Sequence, residues 1–475
     1  MKRDGPALVR PALSLFRRIT RVFGNKDSEC RPEEQATGRG QRRDPSPSRN
    51  RATLQQSQPD TEAERQKKRD EAWQACADLA GEPRIVDRMV IELERAGLVG
   101  EQRAAKLIYL VLTSRLLDRP LCAVVKGPSS AGKNHVTQHV LALFPPSAAY
   151  RLTGMSERAL AYGKEPLAHR ILAIEEAAGL TGGVGAYLMR SLISEGRLRY
   201  ETVENNGHGL NPRVIEREGP TGLLVTTTAL NLDPELETRM FSIPITDSAE
   251  QTQSVLMAIA SRAMGAEQPE LLDVGPWQQL QTWLEGEEHR VVIPYAARLA
   301  AAIPPLAVRL RRDFSAVLRL IEAHAILHQS RRERDGLGRV VATLDDYCAI
   351  RELIADLVAA GVEASVPRTV RETVEAVEAL SEDWEEGVPQ SAVKARLRLD
   401  KSTVSRRIKH AIELGYLLDE QEKRGQPALL KLGDPLPDEV EVLPRAEALA
   451  DDRCSVAAFP EGEGRPEQSL SDEQS

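Results

Sequence analysis

A run of eight residues, from Gly127 to Asn134, has the types and spacing of a phosphate-binding loop. It fits the pattern GxxxxGK, with Lys133 in the seventh position. Glycine lets a backbone wrap closely around a phosphate, and the amides at the start of the following helix attract negative charge. Lys133 would reach the β- and γ-phosphates of a nucleotide. The predicted nucleotide-binding residues are Gly127, Pro128, Ser129, Ser130, Ala131, Gly132, Lys133 and Asn134.

The sequence on either side of this loop agrees with that prediction. Residues 121–125 predict a buried strand and residues 135–144 a helix, which is the setting that the motif requires. The eighth position is Asn134, where Ser or Thr usually offers a hydroxyl to Mg²⁺. An amide oxygen also binds Mg²⁺, so we expect ATP and Mg²⁺ to bind, while hydrolysis depends on how well Asn134 replaces the hydroxyl. The alternative is a glycine-rich turn in which Lys133 has no ligand.

A second apolar run, residues 170–174, predicts a strand that ends in two carboxylates, Glu175 and Glu176. This is the arrangement of a Walker B strand, in which the first acid helps to hold Mg²⁺ and the second polarises the attacking water. Glu175 is therefore a predicted metal ligand beside Asn134, and Glu176 is the predicted base. Glu175 occupies a position where Asp is usual. Surface carboxylates at the end of an ordinary strand are the alternative.

A third apolar run, residues 222–228, predicts a strand lying between the other two. A polar group at the end of such a strand can position the lytic water. Thr227, Thr228 and Asn231 are the candidates, with Thr228 the one we assign. Ordinary β-branched strand chemistry is the alternative for each of them.

Arg239 precedes the next apolar strand, in a segment that predicts a short helix. This is a suitable position for an arginine finger, which reaches the γ-phosphate bound by a neighbouring subunit. The alternative is a surface arginine that pairs with Glu235 or Glu237. Because a finger acts only between subunits, its presence would imply a homo-oligomer, and we expect a hexamer.

With these motifs in order, residues 119–350 resemble an AAA+ ATPase, in particular the MCM replicative helicases and the MCM-like and primase-helicase-like ATPases of phages, plasmids and genomic islands. Residues 238–241 fill the place of the MCM finger motif. Arg312, with Arg319 seven residues later and Glu322-Ala323 after it, has the spacing of the MCM lid helix. The resemblance implies that Arg312 is the sensor-2 arginine, whereas a charged helix face is the alternative. It also implies a role in replicating a mobile element.

The resemblance covers about half of the chain, and the sequence departs from it in three ways. Asn134 and Glu175 replace the usual residues, and no N-terminal DNA-binding collar is recognisable. The implied fold is an α/β P-loop NTPase of the AAA+ type with a helical lid. These departures bear more on DNA unwinding than on ATP binding.

Between the second and third strands, the sequence predicts a β-hairpin. Residues 197–204 alternate in polarity, residues 205–209 form a turn, and the chain returns over residues 212–216. MCM-like enzymes have a hairpin here that points into the ring channel and contacts DNA. The candidate phosphate contacts are Arg197, Arg199, His208 and Arg213. The arms also carry several glutamates, so a solvated hairpin without a DNA role is the alternative.

Residues 366–436 resemble a winged helix-turn-helix domain. Residues 390–397 predict a first helix and residues 401–414 a second, which Asp400 or Ser402 could cap. Two strands surround a basic turn that would be the tip of the wing. The predicted DNA-binding residues are Lys401, Ser402, Thr403, Ser405, Arg406, Arg407, Lys409, Lys423 and Arg424. A domain used only for protein contacts is the alternative.

Composition limits the class of protein. The chain has 475 residues, of which 41% are hydrophobic and 4% aromatic, so it can bury a sizeable aliphatic core. Its five cysteines include no CxxC pair, which argues against a disulfide framework and against a cysteine-built zinc site. Neither a membrane-spanning run nor a secretory signal is recognisable, so we expect a soluble, cytoplasmic protein without membrane contact.

The two ends of the chain have opposite charge. Residues 1–70 carry 17 Lys and Arg against 10 Asp and Glu and should be disordered. Within them, residues 13–23 have helical apolar spacing, which fits a transient helix or, alternatively, a membrane-surface helix. The expected organisation is a basic arm (1–70), a helical segment (71–118), an ATPase core (119–250), a helical lid (251–365), a winged helix (366–436) and an acidic disordered tail (437–475).

Three hypotheses about function follow. The first is an ATP-hydrolysing, DNA-dependent helicase or translocase that binds single-stranded or forked DNA in the core and duplex DNA at the winged helix. The second is a DNA-binding regulator or replication initiator in which ATP only switches assembly. The third, suggested by Asn134, is an ATP-binding scaffold without hydrolysis. DNA-stimulated ATP turnover would favour the first hypothesis. A sequence-specific DNA footprint with negligible turnover would favour the second, and tight ATP binding without hydrolysis would favour the third.

Overall fold

The structure is a computed structural model of the chain. It describes residues 61–154, 159–175, 183–205, 210–228, 239–245, 248–265, 268–363, 366–384, 386–420, 428–436 and 441–450. Two compact units divide the chain at residue 59, and every described residue belongs to the second unit.

A five-stranded parallel sheet in the order β2-β3-β6-β1-β7 forms the centre of this unit. The predicted α/β class is therefore confirmed, as is the expectation that the third apolar run lies between the other two. β6 pairs with β1 on one side and with β3 on the other. The strands are β1 (Cys122–Lys126), β2 (Ala149–Leu152), β3 (Arg170–Ile174), β6 (Thr221–Thr227) and β7 (Phe241–Pro244).

Helices cover both faces of the sheet, which explains why its strands are continuous apolar runs. Alternate side chains enter different cores: Ala123 and Val125 of β1 face one core, whereas Cys122 and Val124 face the other. α4 (Lys133–Ala142) packs on the first face, and α6 (Gly183–Glu195) packs on the second. The short helix α5 (Ala159–Tyr162) contributes to the second core as well.

Three helices precede the sheet. They are α1 (Glu62–Ala80), α2 (Ile85–Arg95) and α3 (Gln102–Thr113). α1 begins earlier than the expected end of the disordered arm at residue 70, because Thr61 and Glu64 form a capping box. That boundary was wrong over residues 61–70, and residues 1–60 lie outside the described residues.

The predicted hairpin is present as two antiparallel strands, β4 (Leu198–Asn205) and β5 (Leu210–Arg217). It leaves the second face of the sheet, directly after α6 and directly before β6. Arg217 fastens its base by donating to the carbonyls of Gly163 and Glu165. The hairpin therefore projects from one defined place at the edge of the core.

Helices follow the last strand of the sheet and pack largely on its first face, with α1–α3. The elements are α7 (Ala249–Ala263), α8 (Gly275–Glu285), β8 (Val291–Val292), α9 (Ala296–Ala302), α10 (Leu310–Leu327), β9 (Val340–Val341) and α11 (Leu344–Glu363). Trp277 and Leu280 of α8 and Leu320 of α10 lie in the same core as Leu110 of α3. The expected lid and the expected helical segment before the sheet thus share one core.

The C-terminal elements have a core of their own. They are α12 (Arg368–Ser381), β10 (Val388–Pro389), α13 (Gln390–Leu397), α14 (Lys401–Glu413), β11 (Leu417–Asp419) and β12 (Leu429–Leu432), with a sheet order of β10-β12-β11. Asp400 caps α14, as predicted, by accepting hydrogen bonds from the amides of Ser402 and Thr403. Val404 and Ile408 are buried against Val370 of α12.

Part of the expected acidic tail is folded. Residues 441–450 return to α11, and α15 (Ala446–Ala450) ends this stretch. Val442, Leu443 and Leu449 are buried in the first core, and the hydroxyl of Tyr347 donates to the carbonyl of Pro444 at 2.5 Å. The expectation of disorder from residue 437 was therefore wrong for residues 441–450, because their apolar side chains have a partner surface.

No helix in the described ranges is long and apolar enough to cross a bilayer. Cys76, Cys122 and Cys348, the cysteines for which the structure gives a state, are free thiols.

A buried polar cluster joins α10 to α11. Asp346 accepts hydrogen bonds from Nδ1 of His324 at 2.6 Å, from Arg332 and from Thr343. Burial alone would raise the pKa of Asp346, but these donors hold it well below its usual range. His328 stacks on His324, and burial together with this neighbour lowers the pKa of His328 from 6.5 to about 3. His328 is therefore neutral in the folded protein over most of the acidic range.

We expect this cluster to make the protein sensitive to acid. Between pH 7 and pH 5 the unfolded chain binds a proton at His328 and the folded protein does not, so the free energy of unfolding falls by about 2 kcal/mol. Urea unfolding at both pH values measures this loss, and His328→Gln should reduce it. His410→Gln, on the surface of α14, is the control and should leave the loss unchanged. An equal loss in the His328→Gln variant and the wild type would contradict the assignment.

Candidate functional site

The loop between β1 and α4 has a backbone that few sequences allow. Gly132 has φ = 87° and Ser130 has φ = 68°, both in the left-handed region. Gly127 lies against the end of β7, where a Cβ would be 3.2 Å from Cβ of Ile245. We call residues 127–132 the glycine loop. Glycine is thus favoured at position 132 by the left-handed backbone and at position 127 by close packing against Ile245.

Lys133 is the first residue of α4 and is only 7% exposed. Its Nζ donates to the carbonyl of Gly127 at 2.8 Å and to that of Pro128 at 2.6 Å. The ammonium group is therefore curled over the glycine loop, next to the N-terminus of a ten-residue helix. Both the charge and the helix terminus favour an anion at this place.

Asn134 faces the end of β6. The buried hydroxyl of Thr226 donates to Oδ1 of Asn134 at 2.9 Å. A cavity of about 300 Å³ opens beside this pair. The residues that line the cavity are Ser129, Ser130, Gly132, Lys133, Asn134, His135, Thr226, Thr227 and Thr228. The glycine loop and the polar end of β6, which the sequence predicted separately, therefore meet in one small polar cavity.

Glu175 lies at the end of β3, on the same edge of the sheet as the glycine loop. Its carboxylate accepts a hydrogen bond from Nε2 of Gln138 on α4 at 3.1 Å. Thr228 is exposed at the end of β6 and lines the cavity. The predicted base, Glu176, and the candidate Asn231 lie outside the described residues. This edge, which we call the carboxyl edge, thus gathers Lys133, Asn134, Glu175 and Thr228.

The predicted arginines lie at the opposite edge of the sheet, which we call the amino edge. Arg239 and Arg312 line one cavity of about 900 Å³ there, together with Arg311 and Arg319. Burial lowers the pKa of Arg319 and raises the pKa of Asp313, so charges in this cavity are partly withdrawn from water. The resemblance proposed Arg239 and Arg312 as two separate elements, and the fold brings them together.

Arg239 also contacts the base of the hairpin. Its Nη1 donates to the hydroxyl of Ser194, near the end of α6 and just ahead of β4. Glu195, Gly196 and Arg197 line the same cavity. The sequence left open whether Arg239 pairs with Glu235 or Glu237. Both glutamates lie outside the described residues.

The carboxyl and amino edges are one strand length apart. β1 has five residues and spans roughly 16 Å at the usual rise of a strand. Leu121 and Cys122 at its start line the amino-edge cavity, and the glycine loop follows its last residue, Lys126. An arginine side chain cannot cover this distance, so Arg239 and Lys133 of one copy do not act on the same phosphate.

Three of the four candidate DNA contacts on the hairpin are described, and all three are exposed: Arg197, Arg199 and Arg213. Arg199 forms an exposed ion pair with Glu216 of β5 at 3.5 Å. His208 lies outside the described residues. The structure thus agrees with solvent-facing arginines and also with the mixed charge that the sequence indicated.

The exposed side of α14 includes most of the predicted residues. Lys401, Ser402, Ser405, Arg406 and Lys409 are exposed, and Thr403 is half-buried. Arg407 differs from the expectation, because it turns towards α12 and donates to Glu372 at 2.9 Å. Its role in the structure is to join the two helices. Lys423 and Arg424 lie outside the described residues.

His324, His328 and Asp346 form a cluster of potential metal ligands in the described part of the chain. Five hydrogen bonds already occupy the carboxylate of Asp346. The ring of His328 bonds to the carbonyl of His324 through Nδ1 and to the amide of Ile85 through Nε2. Because these hydrogen bonds already use the potential ligand atoms, we interpret the cluster as structural and not as a metal site.

Sequence reasoning missed three residues that support the site. Thr226 orients Asn134, Gln138 holds Glu175, and Ser194 holds Arg239. Thr226 lies inside the strand that was singled out, so its strand position was a usable signal. Gln138, one helical turn after Asn134, has the spacing to share its face, whereas nothing in the sequence connects Ser194 with Arg239.

Comparison with known families adds no identification: no family model matches the chain, and no curated protein matches it. Function must therefore be inferred from the two edges of the sheet and the surface of α14.

The left-handed turn of the glycine loop can be tested without assuming a ligand. Gly132→Ala should lower the free energy of unfolding by about 1 kcal/mol, because an L-residue disfavours this backbone conformation. An added Cβ would meet no atom within 4 Å, so a clash does not contribute. Urea unfolding measures the change. Gly336→Ala, also in open space but without a positive φ, is the control, and equal stability of the two variants would contradict the loop geometry.

Proposed function

We propose that this protein is an ATP-hydrolysing DNA motor of the AAA+ type that works as a homo-oligomer, with a hexamer as the expected form, in the replication of a mobile element. The observation that carries the proposal is the separation of Lys133 from Arg239 and Arg312 on opposite edges of one sheet. An arginine finger and a phosphate loop in this arrangement complete each other only between copies.

The carboxyl edge fits a nucleoside triphosphate. Ligands of open parallel sheets bind beyond the carboxyl ends of the strands, where this cavity lies. A triphosphate would replace the two carbonyl oxygens as acceptors for Lys133 and would lie at the N-terminus of α4. ATP is therefore the ligand that we propose for the glycine loop.

The same edge offers ligands suited to Mg²⁺, which prefers oxygen donors. Asn134 would give an amide oxygen and Glu175 a carboxylate oxygen. Thr226 orients the first and Gln138 orients the second. When bound, Mg²⁺ would supply positive charge that offsets the negative charge of the phosphates.

Hydrolysis requires an activated water. Thr228, exposed at the end of β6, would help to orient this water, and Glu176 would accept its proton. Arg239 and Arg312 of the next copy would stabilise the charge on the γ-phosphate.

Two surfaces would contact DNA. The hairpin presents Arg197, Arg199 and Arg213 to single-stranded or forked DNA. The C-terminal unit supports a winged helix, because α13 and α14 are followed by an antiparallel strand pair and the exposed side of α14 is basic and hydroxyl-rich.

A second function is an ATP-switched DNA-binding regulator or replication initiator with little hydrolysis. The observation that favours it is the hydrogen bond between Thr226 and Asn134, which engages the amide oxygen where a motor usually has a hydroxyl. In that case ATP would control assembly, and α14 would supply the function.

Turnover of ATP with and without single-stranded and forked DNA distinguishes the two functions. We expect DNA to stimulate turnover, and both Lys133→Ala and Arg239→Ala to lower it at least 1,000-fold, the order of an arginine-finger effect. Arg239→Ala should still bind ATP, because its own glycine loop is intact.

Mixing the two inactive variants provides the sharper test. Lys133→Ala supplies an intact Arg239, and Arg239→Ala supplies an intact Lys133, so sites between unlike copies should regain activity. ATP binding with no turnover above the Lys133→Ala background on any DNA would reject the motor and favour the regulator. Turnover in wild type without recovery in the mixture would reject the finger between copies.

DNA binding by α14 makes a separate prediction. Arg406→Ala should weaken duplex binding. The steepness of the decrease of log K with log salt concentration should fall by about 1, because one phosphate contact is lost. Fluorescence anisotropy at several salt concentrations measures both effects. Arg407→Ala is the matched control, since Arg407 pairs with Glu372 and should leave the salt slope unchanged. Equal slopes for all three proteins would reject this surface.

A further inference from the structure

Helix α7 buries none of its residues, although eight of its 15 are Ala, Val, Leu, Met or Ile. Leu256, Met257 and Ile259 are 54%, 58% and 55% exposed, and Met264 directly after the helix is 81% exposed. We call these four residues the α7 face. Contiguous apolar surface of this kind marks a place of protein contact.

Polar contacts, by contrast, hold α7 to the rest of the protein. Nε2 of Gln251 donates to the carbonyl of Val99 at 2.7 Å, and Nη2 of Arg262 donates to that of Gly97 at 2.9 Å. An ordinary surface helix turns its apolar side to the core and its polar side to water. α7 has the reverse orientation, so its sequence fits a helix whose apolar side is covered from outside.

The position of α7 indicates what covers it. β7 ends beside the glycine loop, where the amide of Ile245 donates to the carbonyl of Lys126 at 2.8 Å. Ser248 then caps α7 by accepting from the amide of Gln251. α7 therefore begins close to the carboxyl edge, where the proposed function requires the amino edge of a second copy, and the α7 face starts about two helical turns further along.

We propose that the α7 face is the surface on which the next copy of this chain docks. The inference rests on the proposed function, in that a second copy must reach the glycine loop. Glu250 and Arg262 are the charged residues of α7, and a core rich in Met and poor in charge is typical of protein interfaces. The helix is about 22 Å long, so it would form the apolar centre of a larger contact.

An exposed apolar residue also lies close to the amino edge. Residues 303–308 (Ile303-Pro304-Pro305-Leu306-Ala307-Val308) carry no charge, and Val308 is 76% exposed. They lead directly into α10, whose Arg311 and Arg312 line the amino-edge cavity. We infer that Val308 of one copy packs on the α7 face of the next, a head-to-tail contact that can close into a ring.

The test uses the full chain and measures its mass by size-exclusion chromatography with light scattering, with Mg²⁺ and a non-hydrolysable ATP analogue. Leu256→Glu and Ile259→Glu should each raise the protein concentration for half-assembly at least tenfold. Leu337→Glu is the matched control, because Leu337 is 67% exposed but belongs to a turn of the lid. Measured at a concentration where all proteins are monomeric, the affinity for a fluorescent ATP analogue should be unchanged in all three variants, because the glycine loop of each is intact.

Mixing variants tests the head-to-tail arrangement. Val308→Glu should impair assembly as the α7 variants do. A mixture of Leu256→Glu and Val308→Glu contains one intact pair of surfaces, the α7 face of one variant and Val308 of the other. We therefore expect dimers from the mixture and no larger species, whereas each variant alone stays monomeric.

The outcomes separate this inference from the proposed function. Assembly of the α7 variants as in wild type overturns the inference, even if DNA-stimulated turnover stands. A lower melting temperature of the dilute monomer in both α7 variants, with normal assembly, also overturns it, because the face is then covered within the chain. Wild type that is monomeric in every nucleotide state overturns both. If the α7 variants lose assembly while the wild-type protein assembles but shows no ATP turnover, the contact is supported and the motor is rejected.

Discussion

The direction of the strands in the sheet determines where chemistry can occur in this protein. All five strands are parallel, so every strand end that carries Lys133, Glu175 or Thr228 lies on one edge. The segments that enter the strands, with Arg239 and the start of α10, lie on the other. Because the strands are extended and hydrogen-bonded to their neighbours in the sheet, no small movement within one copy brings these edges together. If Arg239 acts as a finger on a nucleotide bound by the glycine loop, as proposed, the direction of the strands therefore requires a second copy.

The same sheet explains how distant parts of the chain come to support one site. Each strand sends alternate side chains into two cores, so both faces must be covered by helices. α4 carries Lys133, Asn134 and Gln138 on the first face, where α3, α8 and α10 pack beside it. α6 covers the second face, and Ser194 in its last turn links the base of the hairpin to Arg239. The two cavities thus belong to different edges but share one rigid frame.

Much of this arrangement could be predicted from local sequence. Apolar runs identified β1, β3 and β6, and the neighbours of Asp400 identified the start of α14. Side-chain partners that are distant in sequence could not be predicted, such as Glu372 for Arg407 or Ser194 for Arg239. Charge composition also misled at both ends, because α1 is fixed by a local cap at Thr61 and residues 441–450 by a hydrophobic surface on α11. Composition indicates whether a segment would be ordered by itself. It contains no information about the surface on which the segment packs.

The return of residues 441–450 to α11 constrains the movement of the C-terminal unit. That unit follows α11 in the chain, and Val442, Leu443 and Leu449 anchor its other end to the same helical layer. The chain between Leu436 and Glu441 can extend to roughly 18 Å at most. The C-terminal elements are therefore attached to the rest of the protein at both ends. Their movement is confined to a short distance unless Val442, Leu443 and Leu449 leave the first core. If α14 binds a duplex, as proposed, that duplex would remain within this distance of the sheet, at the high effective concentration that short tethers give.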